Sequence, residues 1–398
     1  MTYTLSDKDL LALVDRLVLE QGRLDPLELL LATEALAYED YEAWRLGKVA
    51  ALQPLLRPSL DESTELLSRA ATYVRAQGFT ATPLSHLSWG PRPQPLAIGG
   101  HPGLALACAS ALVPPADRPQ LDLFLDSRAL VLETRVCEAL AGRRPREALA
   151  AVRDLLCADP DNRHLQDYLH LVQVLETDPD APPAPVARLA ELKAIEPVAR
   201  GLLGHRARDL LALLWAALAE TLVGRSFDPA DPELHAAPLW ARAGRWGPAR
   251  AAVEAEPNWR RYPALVQIHA EACRQGQDPS AARRDWMGLC WDHPLAAGQA
   301  LDGLADRPLG ELWARFSDLD PPLATGEFPA WLLCAHPSFR LAVPADAAPP
   351  GPQGDAFRLL HRLVGGEDTL VLRRSLAAVN PAVLRVYLAR QAASGVRI

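Results

Sequence analysis

Apolar residues recur along most of the chain at the three- and four-residue spacing of amphipathic helices, and few segments alternate with a period of two. Ala, Leu and Arg are the most frequent residues, and they also favour helix. Polar residues that cap helix starts stand before several apolar runs, as at Ser6, Asp25 and either Ser59 or Asp61. The sequence therefore predicts an all-α fold.

Two segments in the middle of the chain share a pattern of small residues and prolines. In both, a glycine is followed six residues later by an alanine and twelve residues after that by a proline: Gly142, Ala148 and Pro160, then Gly276, Ala282 and Pro294. A small side chain suits a close crossing of two helices, and a proline ends the second helix. The stretch 243–259 looks like a shortened copy.

This pattern resembles the tetratricopeptide repeat, a helix–turn–helix unit. The distance from glycine to proline is one residue longer than the family's common spacing, and the Trp, Gly and Tyr positions of the family's first helix are not convincingly filled. The resemblance implies stacked helical hairpins whose concave surface binds a peptide or a partner helix. It therefore implies a scaffold or adaptor rather than a catalyst, and it names no partner.

Stretches rich in proline and glycine interrupt the helical pattern and divide the chain. They lie at 88–103, 113–119, 177–185 and 343–354. We expect four segments: an N-terminal helical module (1–80), an irregular connection (81–124), a tetratricopeptide-like helical array (125–342) and a C-terminal helical cap (355–391).

The two longest apolar runs, 104–113 and 210–219, contain ten residues each, about half of what a membrane span needs. Both are predicted to be buried helix segments. Asp7 and Lys8 stand where a signal peptide would carry its apolar core. We therefore expect a cytoplasmic protein with no membrane partner.

Net charge, cysteine spacing and the absence of known catalytic motifs argue against several classes of function. The formal net charge is −8 and no run of Lys and Arg stands out, so direct nucleic-acid binding is not expected. The six cysteines are far apart and form no C-x-x-C pair, which predicts free thiols rather than disulfides or a structural zinc site. No Gly-rich phosphate loop, G-x-S-x-G or H-E-x-x-H motif occurs. The sequence predicts no cofactor and no metal, and it does not indicate catalysis.

The peptide Gln120-Leu121-Asp122-Leu123-Phe124 follows a proline-rich stretch. It resembles the pentapeptide by which many bacterial replication and repair proteins dock on the DNA polymerase sliding clamp. The resemblance implies that the Leu and Phe side chains fill an apolar pocket while Gln forms hydrogen bonds beside it. Alternatively, the same residues form the first apolar turn of the following helix and fix its start. These five residues are the predicted partner-binding site.

Aromatic residues mark two further candidate surfaces. Tyr38, Tyr41, Trp44 and Arg45 fall at helical spacing and form either a recognition face or the inward side of an amphipathic helix. The sequence favours inward packing, with the neighbouring acids in solvent: Glu39, Asp40 and Glu42. Seven of the ten tryptophans lie between 240 and 331, where a role in the core is favoured over an aromatic-lined groove.

Two stretches bring possible catalytic or metal-binding side chains together. His269 and Cys273 lie four residues apart on one helix face, which suits a thiolate–imidazole pair, two metal ligands or a buried cysteine in a repeat helix. Cys290, Asp292 and His293 are close in sequence, but adjacent residues on a helix point in different directions. Packing is favoured over an active site in both cases.

The sequence thus predicts a cytoplasmic helical-repeat protein that mediates protein–protein interaction as a scaffold or adaptor. The alternative is a sliding-clamp-associated accessory of DNA replication or repair that docks through residues 120–124. An enzyme that uses His269 with Cys273, or His293, is a third hypothesis.

Overall fold

The computed structural model describes residues 6–115, 126–176, 184–304 and 306–393. Helices account for most of these residues, so the all-α prediction is confirmed. None of the helices in these ranges is long and apolar enough to span a membrane.

The chain forms two compact units. The N-terminal unit runs to Leu222 and also includes Arg242–Arg245, and the C-terminal unit consists of Val223–Ala241 and the residues from Trp246 onwards. The predicted division into four segments is not tested by these units and stays a prediction.

The regular elements of the N-terminal unit follow in chain order: α1 (Asp7–Gln21), α2 (Pro26–Ala32), α3 (Tyr38–Arg45), α4 (Leu60–Ala76), β1 (Thr80–Pro83), α5 (Pro102–Cys108), β2 (Ser110–Val113), α6 (Asp126–Ala141), α7 (Pro145–Ala158), α8 (Leu165–Leu175), α9 (Pro185–Leu203) and α10 (Ala207–Thr221). Short 3-10 turns lie at Gln53–Leu55 and Gly204–Arg206.

The helices of the C-terminal unit begin with α11 (Ala236–Arg242), whose last residue belongs to the N-terminal unit. They continue as α12 (Trp246–Glu254), α13 (Pro263–Gln275), α14 (Pro279–Asp292), α15 (Pro294–Leu301), α16 (Arg307–Ser317), α17 (Phe328–Ala335), α18 (Pro352–Val364), α19 (Leu370–Val379) and α20 (Pro381–Ala393). Short 3-10 turns lie at Trp259–Arg261, Thr325–Glu327, Pro337–Leu341 and Ala345–Ala347.

Local sequence accounts for many helix boundaries. The hydroxyl of Ser6 accepts a hydrogen bond from the backbone N–H of Asp9 at 3.3 Å, and the side chain of Asp25 caps α2. Ser59, one of the two predicted starts of α4, forms a reciprocal capping box with Glu62. Many helices carry a proline in their first turn, where its missing N–H costs no hydrogen bond. The abundant prolines are therefore compatible with a helical chain.

The apolar run 104–113 is not one buried helix segment, so this prediction is wrong. α5 ends at Cys108, and Ser110–Val113 form β2, which pairs antiparallel with β1. This pairing and a β-bridge from Leu24 supply the backbone hydrogen bonds that a longer helix would have supplied. The run 210–219 lies within α10 and is mostly buried, as predicted.

Two helical hairpins lie at the predicted repeat, and their turns have the same backbone shape. α6 and α7 meet at Gly142, and α13 and α14 meet at Gly276. The residue after each glycine has a left-handed backbone, with φ of 57° at Arg143 and 62° at Gln277. A Cβ atom on these glycines would lie 3.0 and 3.1 Å from the carbonyl oxygen four residues earlier. The turn thus favours glycine, while the resemblance to the tetratricopeptide repeat stays a prediction.

Each unit has its own apolar core, and the two cores differ in composition. Leucines dominate the core formed by α1–α5, whereas aromatic rings are prominent in the core of the C-terminal unit. Of the seven tryptophans between 240 and 331, all except the half-buried Trp246 are buried, so their predicted core role is largely confirmed. Four rings pack with centroids 5.1 to 6.0 Å apart: Trp313, Phe316, Phe328 and Trp331.

Candidate functional site

Helix α3 turns its aromatic side chains towards the interior of the N-terminal unit. Tyr41 is 4% exposed and Trp44 is 0% exposed, so the predicted inward packing is confirmed. The indole N–H of Trp44 donates to the carbonyl oxygen of Ala97 at 3.0 Å. The backbone N–H of Trp89 donates to the carbonyl oxygen of Arg45 at 2.6 Å. These bonds tie α3 to the irregular segment that precedes α5.

Glu42 contradicts the prediction that the acids of α3 lie in solvent. Its side chain is 4% exposed and bonds to two arginines, Arg143 Nη2 at 2.5 Å and Arg245 Nη2 at 2.9 Å. A carboxylate can be buried where opposite charges and hydrogen bonds replace water. Both arginines are distant in sequence, which is why the local helix pattern placed Glu42 on the wrong side. Glu39 is exposed, as predicted.

Two aromatic rings, Tyr41 on α3 and Trp89 next to this helix, each contact two guanidinium groups. The Tyr41 ring lies 5.9 Å from the Arg208 guanidinium carbon and 5.7 Å from that of Arg45. The Trp89 ring lies 5.2 Å from the Arg45 guanidinium carbon and 4.2 Å from that of Arg143. Of Arg45, Arg143 and Arg208, Arg45 is therefore the arginine that contacts both the Tyr41 and the Trp89 ring.

Arg208 and Arg143 form further polar contacts. Arg208 Nη2 donates to Glu28 Oε1 at 3.1 Å, and Arg208 Nε lies 3.6 Å from Asp209 Oδ1, an ion pair without a hydrogen bond. Arg143 Nε donates to the backbone oxygen of Asp209 at 2.9 Å. Burial raises the pKa of both Glu28 and Asp209, and the positive charge of Arg208 opposes the rise.

A polar cleft with a volume of about 240 Å³ opens beside these groups. Four arginines line it: Arg23, Arg45, Arg144 and Arg206. Three of them have a carboxylate oxygen within 4 Å, at distances of 3.4, 3.0 and 3.8 Å: Arg23 with Asp25, Arg144 with Glu147 and Arg206 with Glu138. Arg45 has no such partner in the described ranges. Its Nε is buried without a hydrogen-bond acceptor, as are the Nε atoms of Arg144 and Arg208, but those two arginines have carboxylate partners.

This unpaired guanidinium makes Arg45 the centre of the candidate site. A buried donor without an acceptor costs about 1–3 kcal/mol, and a charged donor costs more. The contacts with Tyr41 and Trp89 recover part of this cost, because an aromatic face attracts a cation. Buried donors without an acceptor are rare in native proteins, so this one calls for an explanation.

The other groups of the cleft nearly balance the charge of its arginines. Four carboxylates line it: Asp25, Glu28, Glu138 and Asp209. Burial, with the charges of Arg206 and Arg208, lowers the pKa of His205 to about 4, so this ring is neutral at physiological pH. A cleft without a large positive field does not attract polyanions, but it can hold one carboxylate at Arg45.

A second group of ionisable side chains lies in the hairpin of α13 and α14. His269 Nδ1 lies 2.6 Å from Asp285 Oδ2, and His269 Nε2 lies 3.1 Å from Glu254 Oε1. Cys273 Sγ lies 3.6 Å from His269 Nδ1. We call these four residues the His269 cluster. The structure thus brings the predicted pair of His269 and Cys273 together and adds two carboxylates.

The surroundings of His269 favour its charged form. Burial alone would lower the pKa of the ring. The hydrogen bonds with Asp285 and Cys273, together with the charge of Asp285, outweigh burial and raise the pKa to about 10. His269 is therefore an imidazolium at neutral pH.

The remaining candidate residues have separate surroundings. Cys290 is buried at 0% exposure, and Nε2 of His293 lies 3.3 Å from the carbonyl oxygen of Arg260. The five residues of the clamp-like peptide, 120–124, lie outside the described ranges. Their predicted docking role stays a prediction.

Sequence reasoning singled out Tyr41 and Arg45 but missed Trp89, Arg143 and Asp209. No spacing rule connects these residues, because only the tertiary fold brings them to α3. Arg143 carries one signal that was available, since it directly follows the glycine of the repeat and closes the turn between α6 and α7.

No protein-family model matches this chain, and neither a curated protein nor a solved structure matches it.

Proposed function

We propose that this protein is a helical-repeat adaptor that binds a segment of a partner protein in the cleft of its N-terminal unit. In this proposal Arg45 binds a carboxylate of that segment. The observation that carries the proposal is the buried Nε of Arg45, which has no acceptor in the described ranges although the guanidinium contacts two aromatic rings. A guanidinium recognises a carboxylate through two parallel hydrogen bonds, so it is well suited to this role.

The make-up of the cleft favours a peptide over other anionic ligands. Its four arginines are matched by four carboxylates, so it lacks the positive field that nucleic acids and polyphosphates require. Tyr, Trp and Arg are the side chains most enriched among energetically dominant interface residues, and Tyr41, Trp89 and Arg45 supply all three. A volume of about 240 Å³ suits a short segment with one acidic side chain or a terminal carboxylate.

A peptide-display selection with the full chain tests this proposal. A randomised peptide library is panned against the wild-type protein and against Arg45→Met, which keeps an unbranched apolar stem but removes the guanidinium and its charge. We expect wild-type selection to enrich peptides with an acid at a fixed position, next to apolar residues. A synthetic copy of an enriched peptide should lose at least tenfold in affinity when its acid is replaced by the amide, because Arg45 then loses its charged acceptor.

The matched control is Arg16→Met, which removes an exposed arginine of α1 and leaves the net charge equal to that of Arg45→Met. This variant should bind the enriched peptides as the wild type does. Selection without any enriched motif, or equal binding by Arg45→Met, would overturn the proposal.

The sliding clamp is a second candidate partner, supported by the five matching positions at residues 120–124. A titration with a purified bacterial sliding clamp tests it, with Gln120→Ala/Leu123→Ala/Phe124→Ala as the variant. Binding that is lost in a variant with an unchanged melting temperature would assign these residues to docking. Absence of binding by the wild type would remove the clamp from consideration and leave the cleft proposal unaffected.

A further inference from the structure

We propose that His269, Cys273 and Asp285 bind one divalent transition-metal ion in the hairpin of α13 and α14, and that Zn²⁺ is the best match. The three side chains each offer one ligand atom, and these atoms lie within 4.8 Å of one another. The site belongs to the C-terminal unit and does not depend on the peptide-binding role proposed above.

The positions of the ligand atoms are close to those of a tetrahedral zinc site. With zinc–sulfur bonds of about 2.3 Å and zinc–nitrogen bonds of about 2.0 Å, sulfur and nitrogen lie about 3.5 Å apart. Cys273 Sγ and His269 Nδ1 are already 3.6 Å apart. Asp285 Oδ2 is 2.6 Å from Nδ1 and would move away by about 0.7 Å to reach the usual separation. A rotation of its side chain is enough for that.

Glu254 supplies the outer contact that metal-bound histidines usually have. In such sites the ring nitrogen that does not bind the metal donates to a carboxylate, which fixes the tautomer and the ring orientation. Nε2 of His269 lies 3.1 Å from Glu254 Oε1, so Nδ1 is left for the metal. The ring of Trp259, with its centroid 4.4 Å from that of His269, holds the imidazole from one side.

The charge balance of the cluster also suits a divalent ion. In a metal-bound site Cys273 would bind as the thiolate and Asp285 as the carboxylate, because metal ligands must be deprotonated. These two negative charges would balance the two positive charges of the ion, so the ion would add no uncompensated charge to this buried site.

The charged groups around the cluster are consistent with this balance. Arg250 Nε lies 2.7 Å from Glu254 Oε1, and Arg250 Nη1 lies 3.7 Å from Asp278 Oδ2. Glu254 thus has its own cation and does not have to be neutralised by the metal. A simple ion pair between His269 and Asp285 would not require a cysteine beside the ring, whereas cysteine is a common zinc ligand.

Titration of the full chain with Co²⁺ tests the proposal, because a cobalt–thiolate bond has a charge-transfer absorption in the near ultraviolet. The protein is first treated with a chelator and returned to metal-free buffer. We expect this absorption to saturate at one Co²⁺ per chain and to be reversed by Zn²⁺. Calorimetry of Zn²⁺ binding in buffers with different ionisation enthalpies should show that protons are released when the ion binds, because metal ligands must be deprotonated.

Two variants and one control assign the signal to the site. Cys273→Ser should abolish the charge-transfer absorption, and Asp285→Asn should weaken Zn²⁺ binding at least tenfold, with helix content checked by circular dichroism. Cys157→Ser removes an exposed thiol elsewhere in the chain and should change neither result.

A wild-type protein that shows no cobalt–thiolate absorption with excess Co²⁺ would overturn the proposal, whatever the variants do. An absorption that persists in Cys273→Ser but disappears in Cys157→Ser would overturn it as well, since the exposed thiol would then be the ligand. The peptide selection described above does not involve the metal, so the two proposals fail independently.

Discussion

In the N-terminal unit, the charges around α3 border a cleft, and Arg45 has no carboxylate partner in the described ranges. In the hairpin of α13 and α14, by contrast, His269 lies between the carboxylates of Asp285 and Glu254. Both regions contain buried ionisable groups, which proteins retain only when their desolvation is offset. The difference lies in what offsets it. Around Arg45 it is offset by aromatic rings, with no carboxylate partner in the described ranges, and around His269 by two carboxylates. In the proposals above, the first arrangement takes an acceptor from a partner, and the second exchanges protons for a metal ion.

Glu42→Gln is expected to have the largest effect, because it removes the shared partner of two arginines in the N-terminal unit. Breaking a buried ion pair by removing one partner costs about 3–5 kcal/mol. Glu42 is 4% exposed and Arg143 is 6% exposed, so water cannot replace the lost carboxylate. Urea unfolding of the variant should show a loss of this size.

The control for this variant is Glu39→Gln, which makes the same change from carboxylate to amide at an exposed residue of the same helix. Its unfolding free energy should stay within about 0.5 kcal/mol of the wild type. A loss below about 1 kcal/mol in Glu42→Gln would show that these charges are not coupled as the distances indicate.

The His269 cluster should give a specific pH dependence. The pKa of His269 is raised to about 10 in the folded chain, against about 6.5 for an unfolded histidine, so the folded state keeps a proton that the unfolded state releases. The stabilisation is complete below pH 6.5 and is lost as the pH rises towards 10. The difference in unfolding free energy between the wild type and His269→Gln should therefore shrink by a few kcal/mol at most over this range.

Urea unfolding at several pH values measures this difference. His170→Gln, a substitution of an exposed histidine of α8, should give a difference that does not follow this profile. A wild-type advantage over His269→Gln that grows between pH 6.5 and 10 would contradict the prediction.

Arg45→Met should have a small effect on stability, in contrast to Glu42→Gln. The variant loses two cation–π contacts that stabilise the fold by about 0.5–1 kcal/mol each. It also removes a buried donor without an acceptor, which destabilises the wild type. The two changes oppose each other, so the net loss in urea unfolding should be about 1 kcal/mol or less. A loss as large as that of Glu42→Gln would make Arg45 a structural residue and would weaken the case for a ligand.

Glu254→Gln should have the smallest effect on stability, because its side chain is 47% exposed and such pairs contribute about 1 kcal/mol or less. It should nevertheless lower the pKa of His269, since the bond to Glu254 is one of the contacts that raise it. A nuclear magnetic resonance titration of the imidazole proton signals measures this change. An unchanged titration would show that Asp285 and Cys273 account for the raised pKa without Glu254.

The fold was predictable from sequence wherever the information is local. The caps at Ser6, Asp25 and Ser59 stand within four residues of the backbone groups that they bind. The helix of residues 210–219 was also predicted, because an uninterrupted run of apolar helix-forming residues favours a buried helix. The run 104–113 was not, since its second half satisfies its backbone by pairing with β1, a partner that helix periodicity does not reveal.

The candidate sites were predictable only in part, for a related reason. His269 and Cys273 share a helix face, so their spacing was enough to place them together. Asp285 comes from the facing helix of the hairpin, and only the packing of α13 on α14 makes it a neighbour. For Glu42 the local helix pattern predicted an exposed side chain. The side chain is buried instead, because two arginines that are distant in sequence bind its carboxylate.

The N-terminal unit includes Arg242–Arg245, although Val223–Ala241 separate this stretch from the rest of the unit in sequence. A ribosome that has completed residue 222 has therefore not yet made Arg245, and Glu42 at that moment has only Arg143 as a cation. A fragment that ends at residue 222 would have the same deficiency permanently. Part of the second unit must therefore be translated before the first unit has all of its ion pairs.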